Sequence, residues 1–233
     1  MYKILLLADV RSAPEVAIAT LDGRAYFFMS NLLKSMKIPF KSLTPNEQID
    51  KHVKLVLSTR KERPLIPFDP VLCVEDLESD LAAAKILYMV KKTAGESVYI
   101  VGIDPGVRIG ISAFYLGDEV YSCVVYSTAR AASMVSKLLR NAPTKKRIVR
   151  IGDGNIDVAL KIAGVLAEEF GKQIRIEIVD EAGTTSLAKS KPNKRSVKDL
   201  RSARLIALRR GRELTPNLLR SYGKYEARNA STA

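Results

Sequence analysis

Residues 98–127, VYIVGIDPGVRIGISAFYLGDEVYSCVVYS, hold three stretches rich in β-branched and aromatic residues, broken only at Pro105-Gly106 and Gly117-Asp118. Runs of that length and composition, separated by turn residues, predict three consecutive strands in an antiparallel meander. The first ends in Asp104. A strand buried in a core tolerates a carboxylate only at its end, or where something compensates the charge. What compensates Asp104, whether a backbone turn, a basic side chain or a metal ion, is the question this chain poses.

After the meander the pattern alternates. Residues 129–141 read as a helix, 146–152 as a strand, 154–171 as a helix closed by Gly171, 173–180 as a strand, and 197–211 as an amphipathic helix with Gly211 at its C′ position. The order is β-β-β-α-β-α-β-α. Before the meander lies a smaller α/β pattern: a strand at 2–8, a helix at 24–37, strands at 38–43 and 51–58, a Pro-rich passage, and a helix at 79–93 with Ser79 as its N-cap. Residues 94–97, AGES, mark the boundary. The expected fold class is α/β, with a small domain over 1–95, a mixed-sheet domain over 96–212 and a basic tail over 213–233.

The chain of 233 residues is 47% hydrophobic, long enough to bury a substantial core. It has no apolar run of membrane-spanning length and no signal-peptide pattern, which predicts a cytoplasmic protein without membrane partners. Cys73 and Cys123 are far apart, with no metal-binding spacing, and are read as two buried thiols. The net charge of +13 is concentrated: residues 189–233 carry 13 basic and 3 acidic side chains, whereas 96–188 carry 11 of each. A basic segment on a neutral body predicts a polyanionic partner, though a solvated helix face has the same composition.

Asp104, Asp153, the Asp180-Glu181 pair and Asp199 fall at strand ends or at the start of the last helix. If the strands at 98–104, 146–152 and 173–180 are parallel neighbours, these acids meet at one sheet edge, where open α/β sheets bind ligands. Carboxylates gathered there repel one another unless a cation intervenes, and oxygen donors without His or Cys suit Mg²⁺ or Mn²⁺. Two such ions about 4 Å apart are a standard device for phosphodiester hydrolysis. Each acid also has an ordinary reading: Asp104 as a turn former before Pro-Gly, Asp153 as a helix cap, Asp199 as a first-turn acid.

VGIDPGVRIGISAF resembles the first strand and turn of the RuvC and YqgF group of the RNase H-like superfamily. IVDEAGTTSLAK and KRSVKDLRSARLIALRRG are similar to its later strand end and final helix. The resemblance covers about residues 97–212. It implies an RNase H-like fold and a metal-dependent endonuclease acting on branched DNA or precursor RNA. By the same resemblance Asp104 would be the ligand bridging two Mg²⁺ or Mn²⁺ ions, Glu181 the acid on the later strand and Asp199 the ligand carried by the helix. Asp153 follows the strand where RuvC-type enzymes carry a Glu, and is taken as the fourth ligand. Ala182 stands where the group has Arg. Arg108, Lys189, Lys191, Lys194, Arg195, Arg209 and Arg210 are expected phosphate contacts. Cleaving a symmetric junction would call for a homodimer. The alternative is a catalytically inactive nucleic-acid-binding protein on the same fold.

Overall fold

The computed structural model describes residues 13–77, 82–91, 97–181 and 195–215. It divides into two compact units, Met1–Glu78 with Met89–Lys91, and Ser79–Tyr88 with Lys92–Ala233. The strand expected at 2–8, the Ser79 cap and the boundary at 94–96 lie outside the described residues.

In the first unit, β1 (Val16–Ala19), β2 (Phe40–Leu43), β3 (Leu55–Ser58) and β4 (Val71–Cys73) form a sheet in the order β2-β1-β3-β4, every neighbouring pair parallel. Helix α1 (Gly23–Ser35) makes the β1-to-β2 crossover and buries Ala25, Met29 and Leu33. All four residues of β1 and of β3 are buried, as in a parallel sheet covered on both faces. Ala17, Ala19, Leu43, Val53, Val56 and Ile66 make the core on one side. The sequence pattern anticipates neither β1 nor β4. VAIA and VLC are too short to show a period, and VLC follows a Pro-rich run. Helix α2 (Ala82–Val90) spans the division between the units in sequence.

In the second unit, β5 (Val98–Asp104), β6 (Ile109–Tyr115) and β7 (Asp118–Val125) form the expected antiparallel meander. The β6–β7 turn is centred on Leu116 and Gly117, both at positive φ, one residue earlier than Gly117-Asp118. Then come α3 (Thr128–Arg140), β8 (Lys146–Gly152), α4 (Ile156–Phe170), β9 (Arg175–Val179), α5 (Arg195–Leu208) and the two-residue β10 (Arg212–Glu213). The six-stranded sheet runs β10-β9-β8-β5-β6-β7, with β5, β8 and β9 parallel. Their C-terminal ends, at Asp104, Gly152 and Val179, lie side by side.

Residues alternate across the pleat. Val101, Ile103, Ile111 and Ala113 are buried on one face, where α3 packs on β6 and α4 on β8. Gly102, Asp104, Gly110, Ser112, Arg150 and Gly152 share the other face with α5. That helix ends at Leu208, so Gly211 is not its C′ residue; it docks on β9 and donates its N–H to Glu177 at 3.2 Å. Cys73 is buried and Cys123 half-buried, and neither is in a disulfide.

Candidate functional site

The site begins with how closely α5 can lie on the sheet. A side chain at Gly102 would collide with the Ala203 carbonyl and reach within 2.6 Å of the Ala207 Cβ; one at Gly110 would collide with the Asp199 carbonyl. Glycine on β5 and β6 facing alanine on α5 therefore removes the usual layer of side chains between helix and strand. Ala203, Ile206 and Ala207 are buried in that contact, as the apolar stripe of the last helix predicts, while Leu200 remains half-buried. The helix crosses the strands from Gly110 on β6, over Gly102 on β5, to Gly152 on β8. Its first turns thereby bring Asp199 and Ser202 beside the end of β5.

Asp104 stands at the centre of the edge. Its register partner on β6 is Gly110, over which the Asp199 backbone lies. On the other side, the neighbouring strand end is Gly152, and the Glu181 carboxylate lies against it. The three acids thus line up above the adjacent ends of β6, β5 and β8. The Asp104 carboxyl is pushed up to about 6, first by burial and then by the charges of Glu181 and Asp199, against the opposing effects of a Ser202 hydrogen bond and the Lys198 charge. Glu181 is pushed up as well, by burial and by Asp153, with the Gly154 N–H opposing.

Glu181 is tied to the 153–154 turn by two hydrogen bonds. Gly154 donates its N–H to Glu181 Oε1 at 3.2 Å, and Glu181 donates its own N–H to Asp153 Oδ1 at 3.0 Å. Asp153 is exposed, and the helix cap it might have formed is made instead by Asn155, whose side chain accepts the Val158 N–H. Gly152 and Gly154 leave the space that the Glu181 carboxylate occupies.

Arg108 contacts this group directly. Its Nη2 lies 2.8 Å from Asp199 Oδ2, with the two side chains 27% and 16% exposed. The oxygen is buried and has no hydrogen bond, so the contact is an ion pair without hydrogen-bond alignment. Asp104, Gly106, Val107, Arg108 and Asp199 line a crevice of about 460 Å³. Among the described residues, no three acidic, His or Cys side chains stand as a ready-made metal cage.

Among the described residues, the expected phosphate contacts are not gathered as a set. Lys189, Lys191 and Lys194 lie outside the described residues, and Arg195 is placed only as the first residue of α5. Arg209 and Arg210 follow the end of α5, roughly 15 Å along its axis from Asp199 at 1.5 Å per residue. Arg204 is engaged with Glu119 at 2.7 Å.

One buried feature was invisible to pattern reading. Arg150 on β8 and Glu177 on β9 are 6% and 4% exposed and pair at 2.8 Å beneath α5. Arg150 also donates to the Ala207 carbonyl at 2.6 Å, satisfying a backbone acceptor at the end of the helix. In RIVRIG and RIEIV a charged residue between apolar ones reads as a solvent-facing position. Here the pair anchors the C-terminal end of the helix that carries Asp199.

No family profile and no curated protein matches the chain. Among solved structures it is similar to one described as "Thermus thermophilus RuvC structure", at 17% sequence identity and a TM-score of 0.35, over 48% of this chain and 90% of that chain.

Proposed function

We propose that the second unit is an RNase H-like nuclease domain, which hydrolyses phosphodiesters in structured nucleic acid with the aid of Mg²⁺ or Mn²⁺. One observation carries this reading: Asp104, Asp199 and Glu181 come together over three neighbouring strand ends, where burial, and then the charges of Glu181 and Asp199, raise the Asp104 carboxyl. The strand order, an antiparallel meander continued by parallel strands, supports the fold assignment.

The donor set fits a hard divalent cation. It offers only carboxylate oxygens, and one of them, Asp199 Oδ2, is buried without a hydrogen bond. Asp104 and Asp199, which line one crevice, would hold the ion, with Glu181 as the third acid. The chemistry such an ion would supply there is activation of a water for in-line attack and neutralisation of charge on the phosphoryl group. The chain's own residues do the positioning. Ser202 hydrogen-bonds Asp104, the Gly154 N–H orients Glu181, and Asp153 clamps the Glu181 backbone. Arg108 and the basic segment from 189 onward supply the attraction for phosphate. A branched-DNA substrate, with two equivalent strands, requires the protein to act as a homodimer.

A second reading, a binding protein without catalysis, draws on the ion pair that already occupies Asp199. Labelled four-way junction, duplex DNA and structured RNA, each incubated with Mg²⁺ and with Mn²⁺, separate the two. Metal-dependent cutting by the wild type, reduced at least 100-fold in Asp104→Asn with binding retained, is the expected result. Binding without cutting on every substrate would establish the second reading.

A further inference from the structure

We propose that Arg108 is an exchangeable counter-ion. It neutralises Asp199 in the cation-free protein and is released to grip a nucleic-acid phosphate when a divalent cation takes its place. This rests on the metal-nuclease reading above and concerns how that site is loaded.

Three observations carry it. Asp199, whose Oδ2 lies 2.8 Å from Arg108, lines the same crevice as Asp104, so a cation shared by the two aspartates competes with the guanidinium for one carboxylate. The pair lacks the forked, aligned geometry that makes Arg–carboxylate contacts durable, since Oδ2 accepts no hydrogen bond. The guanidinium also has somewhere to go. Arg108 ends the β5–β6 turn, whose tip residue, Val107, is 95% exposed. Once displaced, Arg108 leaves one side of the crevice with an unpaired positive charge at the edge where the phosphate must lie.

Binding of a cation and of nucleic acid then become linked, and the linkage is reciprocal. Without nucleic acid, Arg108 competes with the cation. With nucleic acid present, it has a second anion to hold, and the competition is relieved.

Mn²⁺ is titrated calorimetrically into the full-length wild type, Arg108→Ala, Arg108→Lys and Asp104→Asn. Labelled four-way junction is bound to the first three in Ca²⁺ and in EDTA, followed by anisotropy. Arg108→Ala is expected to bind Mn²⁺ roughly tenfold more tightly than wild type, with Arg108→Lys in between. Ca²⁺ should strengthen junction binding by wild type severalfold and by Arg108→Ala hardly at all. Equal or weaker Mn²⁺ binding by Arg108→Ala, with wild-type binding abolished by Asp104→Asn, would overturn the exchange and leave the metal site standing. Mn²⁺ binding that is absent from the wild type, or unchanged in Asp104→Asn, would overturn both. Thermal melting of each variant shows that it is folded, and Arg108→Lys keeps the charge should Arg108→Ala fail to fold.

Discussion

Glu62 and Asp104 occupy comparable places in two different sheets, past or at the C-terminal ends of parallel strands, yet their surroundings drive them in opposite directions. Glu62 follows β3 in the first unit. Burial would raise its carboxyl, but Thr20 and Thr59 donate hydroxyls to it and Leu21 donates its N–H at 2.7 Å, which holds it below the usual range. Asp104 has one hydroxyl, from Ser202, and faces two other acids. Glu177 sharpens the contrast. It is nearly inaccessible, and burial is the largest influence on it too, yet Arg150, the Gly211 N–H and Arg175 together depress it. The difference is therefore one of partners. Where the fold needs an acid it surrounds it with donors; at the end of β5 it surrounds one with more acids, at a cost to stability.

That contrast can be broken at Arg150. Arg150→Met takes from the buried Glu177 its closest buried partner, leaving it Arg175 at 2.7 Å and the Gly211 N–H, and frees the Ala207 carbonyl. A loss of about 3–5 kcal/mol is expected in denaturant unfolding at pH 7, shrinking as the solution is acidified. A loss below about 1 kcal/mol would show that the pair holds nothing together.

Asp104→Asn should act in the other direction. The folded value of about 6 lies above the unfolded 3.8, so ionising Asp104 costs the fold stability. The cost is absent below about pH 4, grows as the pH rises toward 6, and is complete above it. The asparagine variant escapes it. Two pKa units correspond to roughly 3 kcal/mol, which partial exposure reduces to about 1–2 kcal/mol of stabilisation at pH 8. Melting curves at pH 4 and pH 8 check this, and equal shifts at the two would disprove it.

The smallest effect is expected at Glu62. Its value is depressed, so its contribution is present above the unfolded 4.5 and is lost as the pH falls through the folded value. Glu62→Gln should cost under about 1 kcal/mol at pH 7, less as the solution is acidified, because the group is partly exposed. Stabilisation by this substitution would remove the contrast with Asp104.

The strands and helices of the second unit were largely legible because each is long enough to show a period: β8 coincides with the expected 146–152, and β5 with VYIVGID. The shorter β1, β4 and β10 carry no such signal. At the site, the order of Asp104, Glu181 and Asp199 along the chain was readable, since acids that end strands are conspicuous. Ser202 and the Arg150–Glu177 pair were not. Their roles depend on α5 crossing the sheet at glycine-to-alanine distance, a tertiary fact that leaves only scattered small residues in the sequence. Asp22 shows the same limit in the first unit. It is the N-cap of α1, accepting the N–H groups of Arg24 and Ala25, although no strand expected from the sequence ends beside it.

The docking of α5 also sets when the acid cluster comes into being. Asp104 is made early in the unit, and Asp199 nearly a hundred residues later. A chain still being synthesised can complete the meander, β8 and β9 while Asp104 has only Glu181 beside it. The last carboxylate arrives with the final helix, seated by close contact between its alanines and the glycines of the sheet. Repulsion among the acids is thus deferred to a step that most of the core is already formed to withstand. A nascent chain stopped before α5 would carry the strands β5 to β9 without the assembled site.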